Sequence, residues 1–133
     1  MPNILDRLNG LASVRSAALE NSHILITPST YGFGGPFVLD NLTVFNFDTA
    51  TAYMVLVFDS ATLPADGTVT PVYWAFCPIA TAAIPGFVGI DWTQVALKCT
   101  DGIVVAGSSV LTTPFTLTVA TATKLAFAAQ VIA

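Results

Sequence analysis

One histidine, two cysteines, seven aspartates and one glutamate are all that this 133-residue chain offers for acid–base, nucleophilic or metal chemistry. His23 lies inside the apolar run HILIT with no Ser or Cys nucleophile pattern beside it, and reads as a packed or interface side chain. Cys77 and Cys99 match neither a zinc spacing nor a disulfide-dense framework. They read as two buried thiols on neighbouring strands, with a bridge open to them if those strands lie side by side. Most of the aspartates stand beside Gly, Asn, Ser or Thr at the ends of apolar runs, where a carboxylate bonds nearby backbone N–H groups. That is turn chemistry rather than the facing carboxylate pair of a glycoside hydrolase. Asp40-Asn41 and Asn46-x-Asp48 supply too few oxygens for a calcium loop. The stretch STYGFGGP holds Gly32, Gly34 and Gly35, yet Pro36-Phe37-Val38 follows where a phosphate loop needs Lys and Ser/Thr. It is predicted to be a turn that uses positive φ. The expectation is a protein that is not an enzyme and carries no metal and no cofactor.

Charge is scarce: 9% of residues, against roughly 25% in ordinary soluble domains, while 54% are hydrophobic. Net charge is −4, and the four basic residues, Arg7, Arg15, Lys98 and Lys124, form no stripe, so a nucleic-acid partner is not expected. The longest apolar runs, at 53–58 and 72–77, fall far short of the roughly 20 residues of a spanning helix. Girdled alternating strands of barrel length are not evident either, so no membrane partner is predicted. The first residues lack an apolar core between a basic start and a small-residue cleavage site, which argues against a secretory signal. A surface this poor in charge predicts that part of it is covered by a partner.

The elements are organised around residues 42–79, three apolar runs separated by Asp, Thr, Gly and Pro breaks, the pattern of successive antiparallel strands. Asp66-Gly67 and Asp101-Gly102 mark turns, and Pro71 and Pro78 bound the run VYWAFC at positions a sheet tolerates. FVLDNLTVFNFD reads as one long strand or two short ones bent near Asp40–Asn41, with Asn46 and Asp48 on one face and Phe45 and Phe47 on the other. Leu125, Phe127 and Ala129 alternate with Ala126, Ala128 and Gln130, as do Phe115, Leu117 and Val119 with Thr116 and Thr118. About eight such strands predict an all-β fold, an antiparallel β-sandwich of the jelly-roll or immunoglobulin-like kind, over residues 23–133. Residues 1–22 differ in texture. Ile4, Leu5, Leu8, Leu11 and Val14 recur at helical intervals, but Gly10 and the Asn and Ser content interrupt them. This stretch is expected to be an N-terminal arm or a short helix, with those five residues available to an interface. Phe33, Tyr53, Tyr73, Trp74 and Trp92 divide between core and a possible stacking platform; Phe33, Trp74 and Trp92 complete the interface candidates. Tyr73 and Trp74 are adjacent in a strand and must face opposite ways.

The succession VFNFDTATAYMVLVFDSATLPADGTVTPVYWAFCPIA resembles a family of small β-sandwich virion proteins of tailed bacteriophages, of the head decoration or cement type. The matching residues are Asn46, the turn Phe58-Asp59-Ser60-Ala61, the loop Pro64-Ala65-Asp66-Gly67-Thr68 with Pro71, the segment DGIVVA from Asp101, and the closing strand at 124–132. The similarity covers most of residues 23–133 and leaves the arm outside. It implies a homo-oligomeric structural protein of the virion, made in the host bacterial cytoplasm, whose partner is the major capsid protein or another virion protein. A carbohydrate- or receptor-binding virion module, with a glycan as partner, is the alternative. The resemblance brings no catalytic residues.

Overall fold

A computed structural model describes residues 11–15, 23–27, 37–92, 97–113, 115–118 and 124–132. They form eleven strands: β1 (Leu11–Arg15), β2 (His23–Ile26), β3 (Phe37–Asn46), β4 (Tyr53–Asp59), β5 (Gly67–Thr68), β6 (Tyr73–Cys77), β7 (Gly86–Asp91), β8 (Leu97–Cys99), β9 (Ile103–Ser108), β10 (Thr116–Leu117) and β11 (Leu125–Ile132). All pairings are antiparallel, and there is no helix among the described residues. Sheet I runs β1-β11-β3-β7, with β8 on the first residues of β3; sheet II runs β2-β9-β4-β6; β10 and β5 make a small ribbon. With the three shortest strands, β5, β8 and β10, set aside, eight remain. They pair first with eighth (β1–β11), second with seventh (β2–β9), third with sixth (β3–β7) and fourth with fifth (β4–β6). One long antiparallel ribbon rolled upon itself gives that pairing, which is the jelly roll rather than the immunoglobulin order.

Alternation places the core. Leu125, Phe127, Ala129 and Val131 of β11 are buried, and their register partners on β3 include Leu42, Val44 and Leu39. Opposite them sheet II contributes Tyr53, Val55 and Val57 from β4, Ile103 and Val105 from β9, and Ile24 and Ile26 from β2. Each Leu, Ile, Val or Phe among them that is removed from water stabilises the fold by about 1.5–3 kcal/mol. The bend expected near Asp40 is a β-bulge within a single ten-residue strand. Gln130 stands opposite Asn41 but Val131 opposite Leu39, so Asp40 is the extra residue. The bulge explains why the inward residues Leu39 and Leu42 are three apart instead of two. It also marks where β3 changes partner from β8 to β7, and the Trp92 N–H donates to the Asp40 carbonyl there at 2.9 Å.

β4 and β9 are apolar on both faces, and both faces are covered. Leu56, Phe58, Val104 and Ala106 point away from the sandwich into a second core closed by Leu117, with Leu63, Val69 and Phe115 at its rim. The β5–β10 ribbon is thus a lid on sheet II. Ser108, fully buried, holds it by donating to the Thr116 carbonyl at 2.6 Å and accepting from the Thr118 N–H at 3.2 Å. Gly67, at φ +132°, makes the turn of Asp66-Gly67 into that ribbon.

Of the two forms expected for the N-terminal stretch, arm or short helix, residues 11–15 take the extended one. They form the edge strand of sheet I, Leu11 opposite Ile132 and Arg15 opposite Ala128. The helical spacing of Leu11 and Val14 is overridden by the β11 edge, which offers a backbone ladder that an isolated short helix lacks. Ile4, Leu5 and Leu8, the glycine loop at 32–35, and Val119 lie outside the described residues.

Candidate functional site

Among the described residues no three His, Cys, Asp or Glu side chains gather to hold a metal ion. The polar side chains that do converge hold loops. Asn46, with no exposed surface, ends β3 and donates both amide hydrogens, to the Thr51 carbonyl at 2.8 Å and the Pro78 carbonyl at 3.0 Å. Its oxygen accepts the Asp48 N–H at 2.9 Å, so the amide is satisfied at both ends and ties three segments together. Asp48 continues the turn, accepting the Ala50 and Thr51 N–H groups at 2.8 and 3.1 Å and the Tyr53 hydroxyl at 3.2 Å.

The Ala50 N–H is the main influence holding the Asp48 carboxyl below its ordinary value, joined by Thr51, Tyr53 and the Lys124 charge and opposed by partial desolvation. A depressed folded value means stabilisation that is complete above the ordinary 3.8 and is lost as pH falls through the folded one. Asp48→Asn keeps the turn acceptor without the charge. Its stability deficit against the native chain should therefore be full above the ordinary 3.8 and shrink as acidification passes below it, read by urea titration at each pH.

Asp59 makes the second clip. Its carboxylate accepts the N–H groups of Thr100 at 3.1 Å and Asp101 at 2.9 Å, while the Ser60 N–H donates to the Gly102 carbonyl at 3.1 Å. The two sequence segments FDSA and DGIVVA, forty residues apart, are thus the halves of one corner. Asp48 bonds its own turn, as expected of these aspartates, whereas Asp59 departs from that expectation: its partners are the backbone N–H groups of a loop distant in sequence.

Cys77 and Cys99 are buried and free, as thiols. They are not on neighbouring strands: Cys77 is on β6 of sheet II and Cys99 on β8 of sheet I. The Cys77 thiol donates to the Val44 carbonyl at 3.8 Å. Burial raises Cys77 to about 11; burial, then the Asp59 charge, raises Cys99 to about 12. From these values the thiolate fraction at about pH 8 falls by about a hundredfold or more relative to an unperturbed thiol. A disulfide reagent should leave both thiols unlabelled in the native protein and label both in denaturant; rapid native labelling would refute their enclosure.

The remaining feature is exposed apolar surface, on both outer faces. On β6, the edge strand of sheet II, Trp74 and Phe76 project outward and, with Val72 just before the strand, are about half exposed (46–51%). Phe115 extends the stripe, its ring 4.7 Å from that of Trp74. On sheet I the ring of Phe87, 55% exposed, lies 5.6 Å from Phe45, which is 6.5 Å from Phe47. Phe47 in turn lines an open hollow of about 320 Å³ with Thr49, Ala80 and the 66%-exposed Ile84. Tyr73 and Trp74 do face opposite ways. Trp74 holds its place as an interface candidate, but Trp92 does not: it is 8% exposed inside the sandwich, edge-on to Tyr73 at 5.0 Å. Its backbone is fixed inward by the bond to Asp40 at the bulge. Leu11 and Val14 lie on β1; Ile4, Leu5, Leu8 and Phe33 fall outside the described residues. Sequence reasoning missed Val72, Phe76, Ile84 and Phe87. A signal existed for the first two. A strand bounded by prolines suits an edge, which lacks a hydrogen-bonding neighbour on one side.

Compared with known proteins, the chain matches no family model, no curated protein and no solved structure.

Proposed function

We propose that this chain is a structural virion protein of a tailed bacteriophage, a capsid decoration (cement) protein that stabilises the head by burying surface against the capsid and against copies of itself. The observation that carries the reading is the pair of exposed aromatic surfaces, Val72/Trp74/Phe76 on one outer face and Phe87/Phe45 on the other. Two sticky faces on opposite sides let one subunit touch a shell and a neighbour together, where a single patch serves one partner only. The jelly-roll order adds support, since viral capsid domains share it; lectin domains do too, so the fold alone does not choose. Against the carbohydrate alternative stands Trp92, whose burial removes half of the proposed tryptophan platform.

The test is binding of the purified chain to undecorated heads, followed by sedimentation and electron cryomicroscopy. Saturable density on the shell is expected, lost by Trp74→Asp or Phe87→Asp in a folded variant and weakened by removing residues 1–20. No binding to heads or other virion parts, with a glycan-array signal that depends on Trp74, would replace this reading by the carbohydrate one.

A further inference from the structure

We propose that the edge of β11 covered by β1 is a self-recognition site whose ligand can equally be β1 of a second copy, so that residues 11–15 exchange between subunits in the assembly. The inference rests on the reading that copies pack side by side. Its physical basis is the place of β1 as the outermost strand of sheet I, paired on one side only. β1 lies on β11 alone among the described strands, beyond isolated points of contact. A strand paired on one side opens at lower cost than one paired on both.

When β1 leaves, β11 does not follow. It keeps eight register pairs with β3 on its other side and four buried side chains, Leu125, Phe127, Ala129 and Val131. What remains is a formed sheet edge with the backbone of residues 128–132 unpaired, a template for a new strand. The occupant that fits is already known. β1 matches this edge over five consecutive positions, and β1 of any other copy matches it identically. Exchange therefore preserves the register pairs of this ladder, and local concentration decides between home and neighbour. Subunits crowded on a shell raise that concentration, and every exchanged strand then ties two of them together.

Arg15 and Ala128 stand opposite each other across this ladder, which places their Cα atoms within disulfide reach. Arg15→Cys and Ala128→Cys are made in separate full-length chains, mixed in equal amounts, and oxidised on heads and in concentrated solution. The native thiols are enclosed and do not compete. Expected is a covalent dimer of unlike chains, its linked peptides identified by mass spectrometry, falling at least about tenfold when the mixture is diluted about a hundredfold first. The chain carrying both substitutions should close on itself when dilute. Exchange is overturned if unlike chains never join while the double variant closes internally at every concentration, and equally if the double variant links nowhere. Failure to bind heads would instead remove the virion reading, and the result in concentrated solution would still decide exchange.

Discussion

Asn46→Asp, a change of one side-chain nitrogen to oxygen, is expected to destabilise this protein by about 3–5 kcal/mol at neutral pH, more than Asn46→Ala. The native amide is wholly buried and gives hydrogens to two carbonyl oxygens, those of Thr51 and Pro78. A carboxylate there has no hydrogen to give. It sets negative charge against two acceptors out of reach of water and keeps only the Asp48 N–H as donor. Asn46→Ala leaves the same carbonyls unpaired but adds no charge, so about 2–3 kcal/mol is expected. The pH dependence separates the two. The introduced carboxyl has a raised folded value, so its protonated form is tolerated and the deficit opens as pH rises. Acidification should narrow the gap between Asn46→Asp and the native chain while leaving that of Asn46→Ala nearly unchanged. Urea unfolding followed by fluorescence of the buried Trp92 reads both. A neutral-pH deficit under about 1 kcal/mol for Asn46→Asp would show that this corner does not hold the fold.

The strands were legible because they alternate. Leu125/Phe127/Ala129 against Ala126/Ala128/Gln130 assigns both faces of β11 from the sequence, and the structure buries the first set. The bend was legible at the polar pair Asp40-Asn41 inside an apolar run, and the structure accounts for it by the bulge that puts Leu39 and Leu42 on one face. The jelly-roll order was not. Which strands pair is decided by contacts between residues such as Leu11 and Ile132, and no local signal joins positions that distant. The N-terminal strand shows the same limit, since its residue spacing favours a helix and only the β11 edge makes it a strand.

The adhesive surfaces were hidden for a different reason. Val72, Trp74 and Phe76 look like core residues until β6 is known to be an edge, just as Leu56 and Phe58 look half-exposed until the ribbon covers them. Both strands are apolar throughout, and in both cases the third layer decides. It exists over β4 and β9 and stops at Phe115, where the exposed stripe begins. The boundary between inner packing and candidate docking surface is thus drawn by the reach of a two-stranded ribbon.

Gly86→Ala is the second large effect expected, and it tests the same corner from the other side. Gly86 stands opposite Asn46 in the register of β3 and β7. A Cβ there would lie 1.9 Å from the Pro78 carbonyl oxygen and 2.8 Å from its carbon, so backbone must move. That oxygen is the one Asn46 holds, and Gly86 is what lets it pass over β7 to reach the amide. A loss of about 3 kcal/mol is expected, at the upper end for inserting one carbon into a packed site. Gly89→Ala, on the same strand, is the control. Its Cβ would meet only the ring end of the exposed Phe87 at 3.0 Å, a side chain free to swing, and it should stay within about 0.5 kcal/mol of native. Because Gly86→Ala already displaces the acceptor, removing Asn46 afterwards has less left to break. The double variant should be more stable than the sum of the single losses predicts, by about 1–2 kcal/mol. Additivity within about 0.5 kcal/mol would mean that the two residues act through different groups and that the Pro78 carbonyl is not the joint between the loop and the sheets.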